Sequence, residues 1–208
     1  MLVVSLGGSA LIRVIGRDEA TIRRVVDTLQ VCDFSGVIFS RIPIDGTFPM
    51  EAVRYPTDTE KDAPDVVLAM RWEHGVNEHG APGWIVGTGG TRNAGTHGSL
   101  SPYDMNNTLI ASGPDFKQGV VSQIPSGNID VTPTVLHLLG IQPKQKPDGR
   151  VLREGFRKGG AAPEVKERRL EASRQQGFMN WSQYLKVVEV DGAMYFDEGN
   201  GTSAFRSQ

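Results

Sequence analysis

A single cysteine, Cys32, is the only thiol in the 208 residues, which excludes an intrachain disulfide framework and any metal site built from several cysteines. Charge of one sign is also missing. The 22 Lys and Arg nearly cancel the 24 Asp and Glu, for a formal net charge of −2, so the chain lacks the basic footprint of a nucleic-acid binder. No stretch approaches the roughly 18 apolar residues that a membrane span requires. The opening residues lack the basic start, long apolar core and small-residue cleavage pattern of a secretory signal. Glycine and proline, 25 and 12 residues, are what the chain has in excess, the mark of a loop-rich protein. Its length is that of one domain, or of one domain and a small appendage.

Met1–Leu6 reads as a short apolar strand. Residues 1–15 are expected to form two short buried strands about a Gly7-Gly8-Ser9 turn, either as the ordinary start of a chain or as the interior of a fold whose first part is absent. Asp18 to Val31 predicts a helix. Ile22, Val25, Val26 and Leu29 make one apolar stripe, Asp18 suits the N-cap and Glu19 the first turn. A strand over Val37-Ile38-Phe39 follows, and the strand–helix–strand alternation predicts an α/β class. Asp65 to Trp72 has the continuous apolar run of a buried parallel strand. Residues 73–101 are glycine-rich without period, as a functional loop would be. Thr108–Ser112 reads as a further buried strand. Asp130–Leu139 reads as a helix with Asp130 as N-cap, Pro133 in the first turn, Gly140 as its stop and Val131, Val135 and Leu138 on one buried face.

The remainder divides into a linker over 142–160, a charged helix over Ala162–Gln176, and a hairpin of Tyr184–Val190 and Ala193–Phe196 about Asp191-Gly192, the strongest short turn signal in the chain. The expected organisation is an α/β domain over 1–141, a linker with a charged helix over 142–180, and a C-terminal β-hairpin over 181–208 that stands apart as a two-stranded unit. The sheet is expected from strands near 2–5, 10–15, 36–40, 65–71 and 108–112, with both helices packed on it.

Chemistry-bearing patterns are few. There is no Gly-x-Ser-x-Gly elbow and no phosphate loop, and Gly87-Thr-Gly-Gly-Thr-Arg92 has Arg92 where a dinucleotide fingerprint needs its third glycine. Asn106-Asn-Thr108 and Asn200-Gly-Thr202 are glycosylation sequons that matter only in a secreted eukaryotic setting. Of the four histidines, His74 and His79 do not have the spacing of a helical metal motif and read as exposed loop residues. His137 sits at the end of a helix, where a cation is favoured. His97 differs in its context, Gly95-Thr-His-Gly98, a loop between strands with glycine on both flanks. Such a loop lets backbone approach an ion, and a neutral imidazole is an ordinary zinc ligand.

Three segments in order carry a resemblance: Gly95-Thr-His-Gly98, then Thr108-Leu-Ile-Ala-Ser-Gly-Pro114, then Asn128-Ile-Asp-Val-Thr-Pro-Thr-Val-Leu-His-Leu-Leu-Gly-Ile141. Together they resemble the C-terminal part of the alkaline phosphatase superfamily, closest to its type I phosphodiesterase/nucleotide pyrophosphatase and sulfatase-like branches. The resemblance implies a partial alkaline-phosphatase-like sheet flanked by helices. It also implies a metal-dependent phosphoric ester hydrolase with two divalent metal ions, zinc by preference, and a phosphodiester or nucleotide-like substrate. Only His97 maps to a metal ligand of that family. The family's Thr or Ser nucleophile and its Ser-Asp-His-Gly segment have no counterpart, and the chain contains no Asp-His pair. No catalytic or cofactor-binding residue is therefore assigned, and the 208 residues are expected to be inactive as they stand. The other reading is a stand-alone, non-catalytic α/β domain with a binding or structural role. A fragment of such a sheet would expose strand edges and an apolar face, so a homo-oligomer, most simply a two-fold dimer, is expected.

Overall fold

The computed structural model describes residues 1–53, 63–88 and 97–205. In chain order the elements are β1 (Leu2–Ser5), β2 (Ser9–Arg13), α1 (Glu19–Leu29), β3 (Ser35–Ser40), β4 (Phe48–Pro49), β5 (Val66–Met70), β6 (Trp72–Val76), β7 (Pro82–Ile85), α2 (Pro102–Met105), α3 (Val131–Leu138), β8 (Val165–Gln176), β9 (Met179–Val190) and β10 (Ala193–Phe205). Three sheets result, ordered β1-β2-β5-β3-β4, β10-β9-β8 and β6-β7. The protein is of mixed α/β class. It divides into two compact units, one of residues 1–106, 169–186 and 197–208, the other of 107–168 and 187–196.

In the first unit, α1 forms as its sequence predicts. The Asp18 carboxylate accepts from Thr21 N at 2.8 Å, and Ile22, Val26 and Leu29 are buried. β3 and β5 are buried at every position, which is the central-strand signature of an apolar run without alternation. β5 is nevertheless antiparallel to both neighbours, β2 and β3, which corrects the parallel expectation. β5 lies between β2 and β3, so the crossover through α1 joins strands that are not adjacent. Buried Asp65 stitches this arrangement, accepting from Val14 N at 2.7 Å and from Arg41 Nε at 2.7 Å. β1 was expected to be buried and is exposed along its whole length; among the described strands it pairs with β2 alone.

The same core is completed from far along the chain. Trp181 of β9 is 2% exposed among Ile12, Val26, Ile38 and Leu68, and its indole N–H donates to Gly46 O at 2.8 Å. The Gln183 amide accepts from Ile38 N at 2.7 Å and donates to Ile38 O at 3.1 Å. It thereby stands in for a neighbouring strand at a point the two-residue β4 does not reach. Gly201 and Gly36 pass so closely that a Cβ on Gly201 would strike the Gly36 carbonyl and the Trp181 ring; no other residue fits there.

Two further expectations are corrected here. The C-terminal hairpin has its tight turn at Asp191-Gly192, both with positive φ (50° and 77°), but it does not stand apart as two strands. β8 adds a third, and Trp181 belongs to the core just described. Residues 165–176 are that strand rather than a helix. Helix formers such as Glu167, Arg168, Leu170 and Ala172 are overridden by pairing with β9, and Leu170, Ala172, Arg174 and Gln176 alternate as the half-buried set.

The second unit relies on polar ties. The Asp130 carboxylate does not cap α3. It accepts from Gly127 N (2.8 Å), Arg150 N (2.8 Å) and the Tyr195 hydroxyl (2.9 and 3.0 Å). Arg150 makes a two-pronged pair with Glu154 at 2.8 and 2.6 Å, with both side chains almost fully buried. Burial opposes the Glu154 charge, but the Arg150 hydrogen bonds outweigh it and hold the carboxyl below its usual range. Val188, Val190, Ala193 and Tyr195 form a small apolar cluster with Ile124. The expected buried stripe of α3 is instead exposed: Val131, Val135 and Leu138 are 42%, 47% and 37% accessible. Pro133 and Thr134 face inward, and the Thr134 hydroxyl accepts from Leu152 N. Residues 108–112 form no strand, and Ile110 is 85% exposed.

Two stability predictions follow from these contacts. Trp181→Ala is expected to cost about 3–5 kcal/mol in urea denaturation, against less than about 0.5 kcal/mol for Phe178→Ala, whose side chain is 81% exposed. Glu154→Gln leaves the Arg150 guanidinium buried without a counter-charge, with its hydrogen bond to Pro125 O at 2.9 Å retained, a loss of about 3–5 kcal/mol at neutral pH. A depressed carboxyl stabilises above its unfolded pKa and loses that contribution as pH falls through the folded value. The gap between wild type and Glu154→Gln in urea midpoint should therefore close as pH is lowered below the ordinary Glu range, near 4.5.

Candidate functional site

His97 is placed by glycines. Its carbonyl accepts from Gly8 N at 2.9 Å, and Gly8 O accepts from Met70 N, the last residue of β5, at 2.8 Å. The loop is thereby pinned to the β1–β2 turn, at the carboxyl ends of β1 and β5. Gly98 has φ +88°, and a Cβ there would lie 3.2 Å from Ser9 Oγ. A Cβ on Gly8 would lie 2.6 Å from Ser99 N. Side chains at either position would push the loop off the turn. The imidazole itself is exposed. The nearest following acid, Asp104, is engaged locally: it accepts from Ser99 N at 3.0 Å and from Ser99 Oγ at 2.8 Å. Gly95 and Thr96 of the motif lie outside the described residues, as do residues 89–92 of the glycine-rich segment.

The other histidines do not join His97. His74 lies in β6, where Nδ1 is 2.9 Å from the Tyr103 hydroxyl and the ring meets Trp72 edge-on. His79 sits in the β6–β7 turn beside Glu78 at 3.4 Å. His137 stacks on Phe156 at 5.7 Å. Among the described residues no three of His, Cys, Asp and Glu come together as a metal-holding group. One exposed imidazole is a poor match for a two-metal centre, since even a catalytic zinc takes about three protein ligands. Burial and neighbouring Asp33 both push the Cys32 thiol pKa up, which disfavours its thiolate.

A feature that motif reading missed is a cavity of about 640 Å³ in the first unit, lined by Arg71 and His74 on one side and by Arg169, Tyr184, Asn200 and Thr202 among others. Alternation puts Arg169, Glu171 and Ser173 of β8 on one face of the sheet, with Ser182 and Tyr184 of β9 and Asn200 and Thr202 of β10. The charges here are already paired: Arg71 with Glu73 at 2.7 Å and Arg169 with Glu171 at 2.7 Å. The Arg169 guanidinium lies 3.7 Å over the Tyr184 ring. The Tyr184 hydroxyl donates to Glu198 at 3.0 Å, and Lys186 pairs with the same carboxylate at 2.9 Å. Burial, reinforced by Glu198, pushes the Tyr184 phenol up to about 12. Asn200 is spent on structure, accepting from Trp72 N at 3.4 Å and donating to Trp72 O at 2.7 Å. Only the period-two polar pattern of β8–β10 could have signalled this surface, and its helix-like composition hid it.

The chain matches no protein-family model, no curated protein and no solved structure.

The Tyr184 environment gives a direct test. The ultraviolet phenolate signal of wild type minus Tyr184→Phe should appear near pH 12. In Glu198→Gln it should fall toward the ordinary value of 10.0 while staying above it, because burial remains.

Proposed function

We propose that this chain is the C-terminal portion of a metal-dependent hydrolase of the phosphodiesterase/nucleotide pyrophosphatase type, built on a partial alkaline-phosphatase-like sheet. In this reading His97 is its single contribution to a centre of two divalent metal ions, zinc by preference, and the substrate is a phosphodiester or nucleotide-like molecule. The observation that carries the reading is the His97 loop. It belongs to the ordered set of three motifs, and Gly8 and Gly98 fix it against the β1–β2 turn, a loop held on a rigid scaffold as binding loops are. Among the described residues the donor set does not fit a complete centre, so no catalytic step is assigned to them. The nucleophile and remaining ligands would have to come from residues other than these 208.

One observation favours the second reading, a stand-alone non-catalytic binding domain: the cavity over β8–β10. Its guanidinium and carboxylate charges balance, which suits a neutral or zwitterionic polar ligand better than a phosphate dianion.

Zinc titration followed by imidazole NMR, with a diester assay alongside, tests the hydrolase reading. The His97 resonances are expected to respond to Zn²⁺ and to vanish in His97→Ala. Binding should be weak, so that Zn²⁺ at its own Kd stabilises by only about 0.4 kcal/mol. Hydrolysis of bis(p-nitrophenyl) phosphate should stay at background. Turnover by the 208-residue chain that His97→Ala abolishes would overturn the proposed division of the site. A His97 ring indifferent to zinc would overturn its role as a ligand.

A further inference from the structure

Among the described residues, the edges of the five-stranded and three-stranded sheets are guarded, with one exception. At one end of the five-stranded sheet, β4 is two residues long and finishes in Pro49, a combination that stops further pairing. In the three-stranded sheet, edge strand β8 carries Lys166, Glu167, Arg168, Arg169, Glu171 and Arg174, and edge strand β10 carries Asp197 and Glu198 together with Gly199 and Gly201. β1, at the other end of the five-stranded sheet, has none of these devices. From Met1 to Ile12 there is no charged side chain and no proline. Leu2, Val3 and Val4 are 55%, 51% and 44% exposed, flanked by Met1 at 66% and Leu6 at 41%. Apart from Ser5, whose hydroxyl bonds that of Thr88, the strand is apolar on both faces, as central strands are, yet among the described residues it is paired on one side only, with Leu2 opposite Arg13 and Ser5 opposite Ala10.

We propose that β1 is a self-association surface: two copies of this chain pair their β1 strands antiparallel about a two-fold axis centred on Val3, joining two five-stranded sheets into one of ten strands. The strand is complementary to itself. With Val3 facing its copy, Leu2 meets Val4 in both directions, so every cross-strand pair in the centre is apolar and no like charges oppose one another. A strand of opposite polarity or a charged peptide would find nothing on β1 to select it. The open row of N–H and C=O groups is satisfied by an identical row, as an isologous contact demands. Ile15, two residues past the Arg13 that faces Leu2, is 77% exposed and extends the apolar strip. Edge-to-edge pairing covers only part of the area these side chains expose, which places the contact among small, concentration-dependent interfaces, below about 1,200 Å² in total. The proposal does not depend on the hydrolase reading, since it uses neither His97 nor a metal.

Light scattering on the full chain at tens of micromolar tests it. Wild type is expected to run as a dimer. Val3→Lys places a charge at the centre of the pairing and is expected to run as a monomer, with circular dichroism and urea midpoint close to wild type, since residue 3 is exposed. In a Cys32→Ser background, a short bis-maleimide should join Val3→Cys chains into covalent dimers and leave Phe178→Cys chains, altered at an exposed turn, unjoined. This second readout holds even if Val3→Lys folds poorly. A monomeric wild type would overturn the proposal and leave β1 to a different polypeptide. A dimer that survives Val3→Lys, or one in which Val3→Cys does not cross-link, would overturn it by placing the interface elsewhere.

Discussion

The first unit depends on a return of the chain. Its N-terminal segments bring α1 and the apolar strands β3 and β5, yet they leave the backbone of Ile38 unsatisfied and a space beside Val26 and Ile38. Both are closed by β9: Gln183 bonds Ile38 through both halves of its amide, and Trp181 fills the space with its indole tied to Gly46. Buried backbone groups without partners cost about as much as a lost hydrogen bond, so the two side chains act as a keystone. The glycines at 36 and 201 are the steric counterpart, because the closure brings backbone against backbone. Contacts spanning this much sequence carry a loop-closure cost, and the N-terminal core is contingent on the C-terminal sheet that makes them.

The second unit solves the same problem with charge. Asp130 gathers two backbone N–H groups and a tyrosine hydroxyl, and Arg150 pairs with Glu154 out of water. Such groups stabilise only while every partner is present. That explains why α3 is held by Pro133, Thr134 and the Asp130 end while its apolar stripe faces outward. The second unit's core is small, and specific polar geometry rather than apolar area positions its helix.

Function divides along similar lines. The His97 loop is positioned with care, threaded between Gly8 and Ser9 where a single added methyl would dislodge it. Among the described residues the donor set around it is sparse: one imidazole, with Asp104 engaged by Ser99. The cavity over the C-terminal sheet is roomier, but its arginines and carboxylates neutralise one another. A site built to bring metal chemistry would gather acids near His97. A site built to recognise a polar molecule would look like the second.

The sequence by itself determined what local chemistry controls. The Asp18 cap and the Ile22–Leu29 stripe specify α1, and the turns at Gly7-Gly8 and Asp191-Gly192 specify two hairpins. The sequence also shows that it holds no Asp-His pair, no nucleophile elbow and no cysteine cluster. Each of these signals acts within a few residues, where propensity and capping decide. Only the tertiary structure decided that β5 runs antiparallel to both neighbours, that residues 165–176 pair as a strand despite a helix-former's composition, and that the apolar stripe of α3 stays in water. The same holds for Tyr184, Arg169 and Asn200 meeting around one cavity. In every such case the energy comes from partners far away in sequence: β9 for β8, Arg150 and Tyr195 for Asp130, and Trp72 for Asn200. A linear pattern carries the period of a segment but not the identity of the surface it will meet.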